Sequence, residues 1–438
     1  MKWNVIIKED IQDRYEPNIS AGEPRIILSL DPEEKSLAIR NNVYEQILNK
    51  AINLPSSQVF DLLNLAISVY TADLKIPRKY GEERWTRNIL LHLPVVGLAK
   101  WQALLPSLTK MLGFLTGDYW EINFREYERE HFNQLRIKNQ VEEVNQVSLF
   151  SGGLDSLVGA IDLLEEGKRV ALVGHYGAGI TNKVQKDLLH KLEESYPNLI
   201  EPYLFYVQPP KLDSEGEGEP SMRSRSFLFF SLAVFVASLF PTEIPLCVAE
   251  NGLISLNVPL TNSRVGSLST RTTHPYFVSL YQELLSLLQL NITINLPYKF
   301  LTKGEMISRT KNINTLKQTV DLSMSCSHPE AGRYQGGNPN SHCGYCVPCL
   351  IRRASLAVMR LDDANQYNID VLSHPPDPTS EKGRDLRAFQ MAIGRNRFSS
   401  YNGALFDVLG TGRIPSDELR NYVEVYSRGM EEVREFLT

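Results

Sequence analysis

Residues 148–156, SLFSGGLDS, constrain this chain of 438 residues more than any other stretch. A strand-like apolar run leads through two glycines into LVGAIDLLEEG, whose apolar spacing fits a helix. Gly152 and Gly153 let the backbone approach an anion, the amides of the turn and helix start supply donors, and Ser151 and Ser156 add hydroxyls. Strand, glycine turn and helix together build a phosphate cradle. No Gly-Lys-Ser/Thr follows, so the loop is not a Walker A motif, and the glycines lack the GxGxxG spacing of a dinucleotide site. A Gly-Gly turn with a capping Asp or Ser would also start a helix; the intact strand-to-helix context favours the anion site.

Four further apolar runs, RVALVGH, YLFYVQ, IPLCVAE and NITINLP, alternate with helix-compatible segments. That alternation predicts an α/β fold, a parallel sheet with helices on both faces. Such sheets bind ligands beyond the carboxyl ends of their strands, which singles out Tyr176 and Gly177 after one run and Glu250 and Asn251 after another. Three regions are expected: an N-terminal α+β unit over 1–144, the phosphate-loop domain over 145–362 and a helical extension over 363–438. In the first, strand-like runs at 4–7, 25–30, 88–93 and 119–124 alternate with helical patterns at 43–52, 59–71 and 99–115. Residues 209–225, PPKLDSEGEGEPSMRSR, read as a surface loop or as a lid over a site. The apolar stretch 226–240 is shorter than the roughly 20 residues a membrane span needs, so it is predicted to be a buried helix.

Lys and Arg number 46 against 51 Asp and Glu, a net charge of −5. No global positive field gathers nucleic acid or an anionic membrane, and neither is expected as a partner. The charged start MKWNVIIKED lacks a signal-peptide core, so a cytoplasmic protein is expected. Five cysteines are too few for a secreted disulfide framework, and three crowd into CGYCVPC. With Cys326, the thiolates of Cys343, Cys346 and Cys349 would satisfy a tetrahedral, structural Zn²⁺. Two alternatives stand beside this: His328 or His342 replacing Cys326, and a Cys346/Cys349 redox pair. Cys247, inside IPLCVAE, reads as a core residue.

The SGGLDS loop resembles that of the PP-loop (HUP-type, adenine nucleotide alpha hydrolase-like) ATP pyrophosphatases, which split ATP between its α and β phosphates to adenylate a substrate. The resemblance implies that Ser151, Gly152, Gly153, Leu154, Asp155 and Ser156 hold ATP, with Mg²⁺ between Asp155 and the polyphosphate. Combined with the cysteine cluster, it points within that superfamily to the 7-cyano-7-deazaguanine synthases, or QueC. RSRSFLFFSLAVF is similar to that family's arginine-led helix, LTKGEMI to its lysine-bearing helix start, and SMSC with HCGYCVPCLIRRAS to its zinc region. The likeness covers about 145–362.

By that likeness, ATP adenylates 7-carboxy-7-deazaguanine and ammonia then gives an amide and a nitrile. Arg223, Arg225, Lys303 and Arg271 are implied to face phosphate, with Asp155, Lys303 and Arg225 as the catalytic group. Glu250, Asn251, Arg271 and His274 are expected at the substrate, with Tyr176 and Gly177 near the nucleotide. The flanks resemble the QueC-like proteins of bacterial anti-phage loci, in particular the QatC component of the Qat system. A partner-protein amine could then replace ammonia, making other proteins of the same defence operon the expected partners. tRNA thiolation, another amide ligation and a non-catalytic nucleotide-binding scaffold are the competing readings.

Overall fold

The computed structural model describes residues 1–47, 50, 53–128, 143–177, 179–211, 218–260, 271–335 and 337–438. Its N-terminal sheet has the order β2-β1-β4-β5, built from β1 (Lys2–Lys8), β2 (Arg25–Ser29), β4 (Asn88–Val95) and β5 (Tyr119–Glu126). Every pair in it is parallel. The α+β expectation for 1–144 is therefore corrected to an α/β arrangement. Side chains on β5 alternate between exposed and buried, the pattern of a half-covered strand, and strand direction is not legible in such alternation. Crossovers run through α1 (Val43–Ile47) and α2 (Ser57–Lys75) between β2 and β4, and through α3 (Leu98–Thr116) between β4 and β5.

The second sheet has the order β11-β10-β6-β7-β8 and is also parallel throughout. Its strands are β6 (Gln146–Leu149), β7 (Val170–His175), β8 (Ile200–Phe205), β10 (Leu246–Cys247) and β11 (Ile294–Asn295), the five apolar runs expected to form it. On one face α4 (Leu154–Glu165) and α5 (Gly179–Ser195) bury Leu157, Ile161, Leu188 and Leu192. On the other lie α6 (Arg225–Ala237) and α8 (Pro275–Leu287). Strand order reverses between β6 and β10, so the residues following those two strands border the crevice where open α/β sheets take ligands.

The two sheets share one apolar core. Helix α2 buries fourteen of its nineteen residues because it lies between the N-terminal sheet and α6, which buries every residue but Arg225. The predicted buried helix is α6. Burying it on all sides requires the N-terminal region, so the described residues up to 128 are part of one folded body with the second sheet. A short antiparallel ladder of β3 (Arg40–Asn41) with β9 (Val207–Gln208) joins them again, and the Asn42 amide donates to the Leu204 carbonyl at 2.9 Å.

Beyond α7 (Gly252–Leu256), α9 (Lys303–Ser308), α10 (Ile313–Thr319), α11 (Ala331–Gln335) and α12 (Val347–Val358), the chain ends in α13 (Arg384–Arg395), α14 (Tyr401–Leu409) and α15 (Leu419–Leu437). These last helices, α7, α12 and the cysteine cluster form a separate apolar core. No helix among the described residues is long and apolar enough to cross a membrane.

Candidate active site

The loop from β6 to α4 turns at Gly152, whose φ of +84° and 3.0 Å clearance from a built Cβ to Val184 leave room for glycine alone. Within the loop Gly153 N–H donates to Ser151 Oγ (3.2 Å), and Ser156 Oγ donates to the Gly153 carbonyl (2.9 Å). The Gln185 amide holds the strand end through the Phe150 carbonyl at 3.1 Å. From the far side, Met324 N–H donates to the Gly152 carbonyl (2.9 Å) and Ser325 Oγ accepts from Leu154 N–H (3.0 Å). Ser325 escaped the sequence reading, since nothing in SMSC announces a partner 171 positions away.

Asp155 and Lys303 form an ion pair of 2.8 Å, both nearly buried. Lys303 opens α9, which Thr302 caps in a reciprocal box with Glu305. Helix α15 completes that turn: Glu432 accepts from Thr302 Oγ1 and from Gly304 N–H (3.2 Å). Asn251 donates to the other Asp155 oxygen at 2.7 Å, while its own carbonyl oxygen caps α7 by accepting from Ile254 N–H (3.1 Å). Asn251 is fully buried, its side chain engaged by Asp155 on one side and by the start of α7 on the other.

Beside this pair the described residues enclose a cavity of about 160 Å³. Leu149, Phe229, Val248 and Ala249 give it apolar walls; Ser151, Ser156, Arg225, Ser226, Glu250 and Thr272 supply polar edges. Arg225 is fixed by a 2.8 Å bond from Nη2 to the His175 carbonyl. Glu250 accepts from Thr273 Oγ1. Burial pushes its carboxyl up to about 7, Asp155 adding to the rise against the Thr273 bond and Lys303. Phe229, Ser226 and Thr272 line the cavity through α6 and the approach to α8, a convergence no local pattern signals.

Five expected site residues do not line this cavity. Arg271 stacks 4.4 Å over Phe114 and donates to its carbonyl (2.7 Å); Arg223 stacks 4.9 Å over Trp85. Both cations are satisfied by α3 or the segment before β4, because the N-terminal region occupies the space they would otherwise face. His274 caps α8 by accepting from Tyr276 N–H (3.2 Å), and its Nε2 meets Thr411 Oγ1 at 2.9 Å. Burial and then Arg271 lower its pKa to about 3, so it is a neutral cap of α8. Tyr176 packs against Tyr206 (5.9 Å) and, like exposed Gly177, does not line the cavity.

The four cysteine sulfurs lie within 4.8 Å of one another. Zn–S bonds of about 2.3 Å place tetrahedral sulfurs about 3.8 Å apart, and the pairs Cys326–Cys346 and Cys343–Cys349 stand at 3.9 and 3.8 Å. Amides of His328 and Cys343 donate to Cys326 Sγ, each at 3.3 Å. These donors favour thiolates, so the set fits a closed four-thiolate metal site that would crosslink the loop before α11 to the start of α12. None of the five cysteines is in a disulfide. His342 is instead an acceptor for Ser325 N–H (3.2 Å), and His328 stacks on Tyr345. Cys247 is a core residue, as expected, its thiol pushed up to about 12 by burial.

The parallel α/β sheet thus carries a glycine loop at its switch point, and the chain after it a four-cysteine cluster. The model of the family described as queuosine biosynthesis protein QueC matches residues 272–360, so this part of the chain is similar to that family. A curated 7-cyano-7-deazaguanine synthase of Saccharolobus solfataricus is similar to this chain, 24% identical over 266 residues, 53% of this chain and 50% of the relative. The chain thus spans about half the length of the curated relative it matches.

Proposed function

We propose that this chain is an ATP-dependent synthase that activates a deazaguanine carboxylate and joins it to nitrogen. The observation that carries the reading is the single cavity in which Ser151 and Ser156 of the loop share walls with Arg225 and Glu250. Apolar walls suit the faces of a fused heterocycle, and a glutamate at its edge suits the N1–H and exocyclic amine of a guanine-like ring. A carboxylate resists attack by an amine until adenylation supplies AMP as leaving group. Ser151, Gly152, Gly153, Leu154 and Ser156 would hold the phosphates, and Asp155 would share Mg²⁺ with them. Lys303 and Arg225 would stabilise the negative charge that develops on the phosphates. Zinc would serve structure: it pins Cys326 next to Ser325, which in turn holds Leu154 N–H.

The test is to incubate the purified chain with ATP, Mg²⁺ and 7-carboxy-7-deazaguanine, with unrelated acids in parallel, and measure AMP and pyrophosphate. AMP formed only with the deazaguanine acid is expected; failure of every acid tested to give AMP would overturn the proposal in favour of a non-catalytic binding scaffold. The nitrogen acceptor is proposed to be an amine on a partner protein in anti-phage defence, a reading supported by the 144 residues fused ahead of the loop domain. Mass spectra of proteins encoded beside it would then show an added deazaguanine; free nitrile with unmodified proteins would favour ammonia.

A further inference from the structure

Two cations stand at the candidate site, and their surroundings differ. Lys303 is paired with Asp155 at 2.8 Å. Arg225, which opens α6 and lines the cavity, has no carboxylate partner among the described residues: burial lowers its pKa, and the only charge effect upon it comes from Tyr70. Its bonds go to one residue. Nη2 donates to the His175 carbonyl at 2.8 Å and Nε to His175 Nδ1 at 3.4 Å. A cation withdrawn from water is ordinarily matched by a carboxylate, so a carbonyl and a ring nitrogen are an unusual pair of holders. They occupy one edge of the guanidinium and leave Nη1 without a protein partner.

His175 is fully buried at the end of β7, in register with Phe205 of β8, which fixes the backbone that bears its carbonyl. Because Nδ1 accepts from Arg225, the ring proton is on Nε2. Burial and then the charge of Arg225 lower the pKa of this histidine well below its ordinary value, which keeps the ring a neutral acceptor. Nε2 itself is buried with no hydrogen-bond partner, and the ring stands edge-on to Tyr70 of α2, 5.5 Å away at 89°. Leaving a donor unpaired in a core is destabilising, so an apolar side chain would serve packing better here than histidine does. Nδ1 gives the reason for it. We infer that His175 is a positioning residue, which holds Arg225 by its Nε edge without neutralising it and so leaves the guanidinium charge for an anionic ligand group, a phosphate or a carboxylate. The inference adds an orienting residue to the proposed reaction and rests on that reading for the ligand, while the clamp itself stands on geometry alone.

The test uses His175→Leu and His175→Asn in the full chain, each alone and combined with Arg225→Lys. His175→Leu removes Nδ1 together with the unpaired Nε2, so kcat for AMP release should fall at least tenfold while the melting temperature stays the same or rises. His175→Asn puts an amide oxygen near the place of Nδ1 and should keep kcat within about threefold of the parent. On the Arg225→Lys background, His175→Leu should cause no further loss, because the group it positions is already gone. Undiminished kcat in His175→Leu, a loss that only follows a lowered melting temperature, or losses that multiply across the two positions would each overturn the inference. A second readout needs no turnover. In the ¹⁵N-arginine-labelled protein, the Nε–H resonance of Arg225, assigned by its disappearance in Arg225→Lys, should exchange with solvent at least tenfold faster in His175→Leu than in the parent or in His175→Asn. Equal exchange in all three would refute the clamp, whereas a parent chain that releases no AMP yet shows this pattern would refute the proposed reaction and leave the clamp standing.

Discussion

Asp155 carries the charge balance of the candidate site, facing Lys303 on one side and Asn251 on the other. Asp155→Asn keeps the shape and leaves Lys303 buried without its counter-charge, a loss of about 3 kcal/mol in stability. ATP consumption should fall at least about a hundredfold; unchanged turnover in a pyrophosphate-release assay would remove Asp155 from the chemistry. Glu250 yields a second prediction, about pH. Its folded-state pKa, about 7, lies above the ordinary glutamate value, so the stability it contributes is full below about 4.3 and is lost as pH rises through 7. Binding runs the other way, because only the carboxylate accepts two N–H donors. Affinity for the deazaguanine acid should rise between pH 6 and 8, and Glu250→Gln should flatten that rise, as read from dissociation constants across the range. Glu250 was legible from its place after an apolar run; its proton was not, since burial and the nearness of Asp155 are tertiary facts.

At the scale of elements, α6 receives Arg225 from a segment tied down by α2. Asp73 Oδ2 accepts from Ser221 Oγ (2.9 Å), Ser224 N–H (3.1 Å) and Ser224 Oγ (2.7 Å), while Arg87 holds the other oxygen. Burial opposes its charge, yet Arg87 and Ser224 bring the Asp73 carboxyl below its usual range. Ser221→Ala with Ser224→Ala removes two donors at about 1 kcal/mol each. The lower melting temperature should be accompanied by several-fold weaker ATP binding, since Arg225 follows directly. Unchanged ATP affinity would show that the strap does not position it. The cysteine knuckle makes a comparable demand on one residue: Gly344 has φ +89°, and a Cβ there would lie 2.0 Å from the Ile369 carbonyl oxygen. Gly344→Ala should release zinc and lower the melting temperature, measured by metal content and circular dichroism. The knuckle could be read from spacing, because its ligands are local. The Asp73 strap could not, because its partners are 148 and 151 positions apart.

For the whole molecule, the two sheets are held by one apolar core in which α2 and α6 each lie between layers. Removing residues 1–144 would uncover the α6 face that carries Phe235, which meets Phe60 at 5.1 Å. A fragment of 145–438 should aggregate during size-exclusion chromatography, whereas an independent domain would elute as a compact monomer. The strand–glycine turn–helix of 146–165, the five strands of its sheet, the buried helix and the cysteine cluster were determined by sequence alone, because each is written in neighbouring residues through periodicity, glycine placement or ligand spacing. Tertiary structure alone decided that Arg223, Arg271 and His274 turn to the N-terminal region or cap a helix, and that Ser325 ties the knuckle to the loop. Those outcomes depend on which surfaces meet across more than a hundred residues of chain, and no local pattern encodes that meeting.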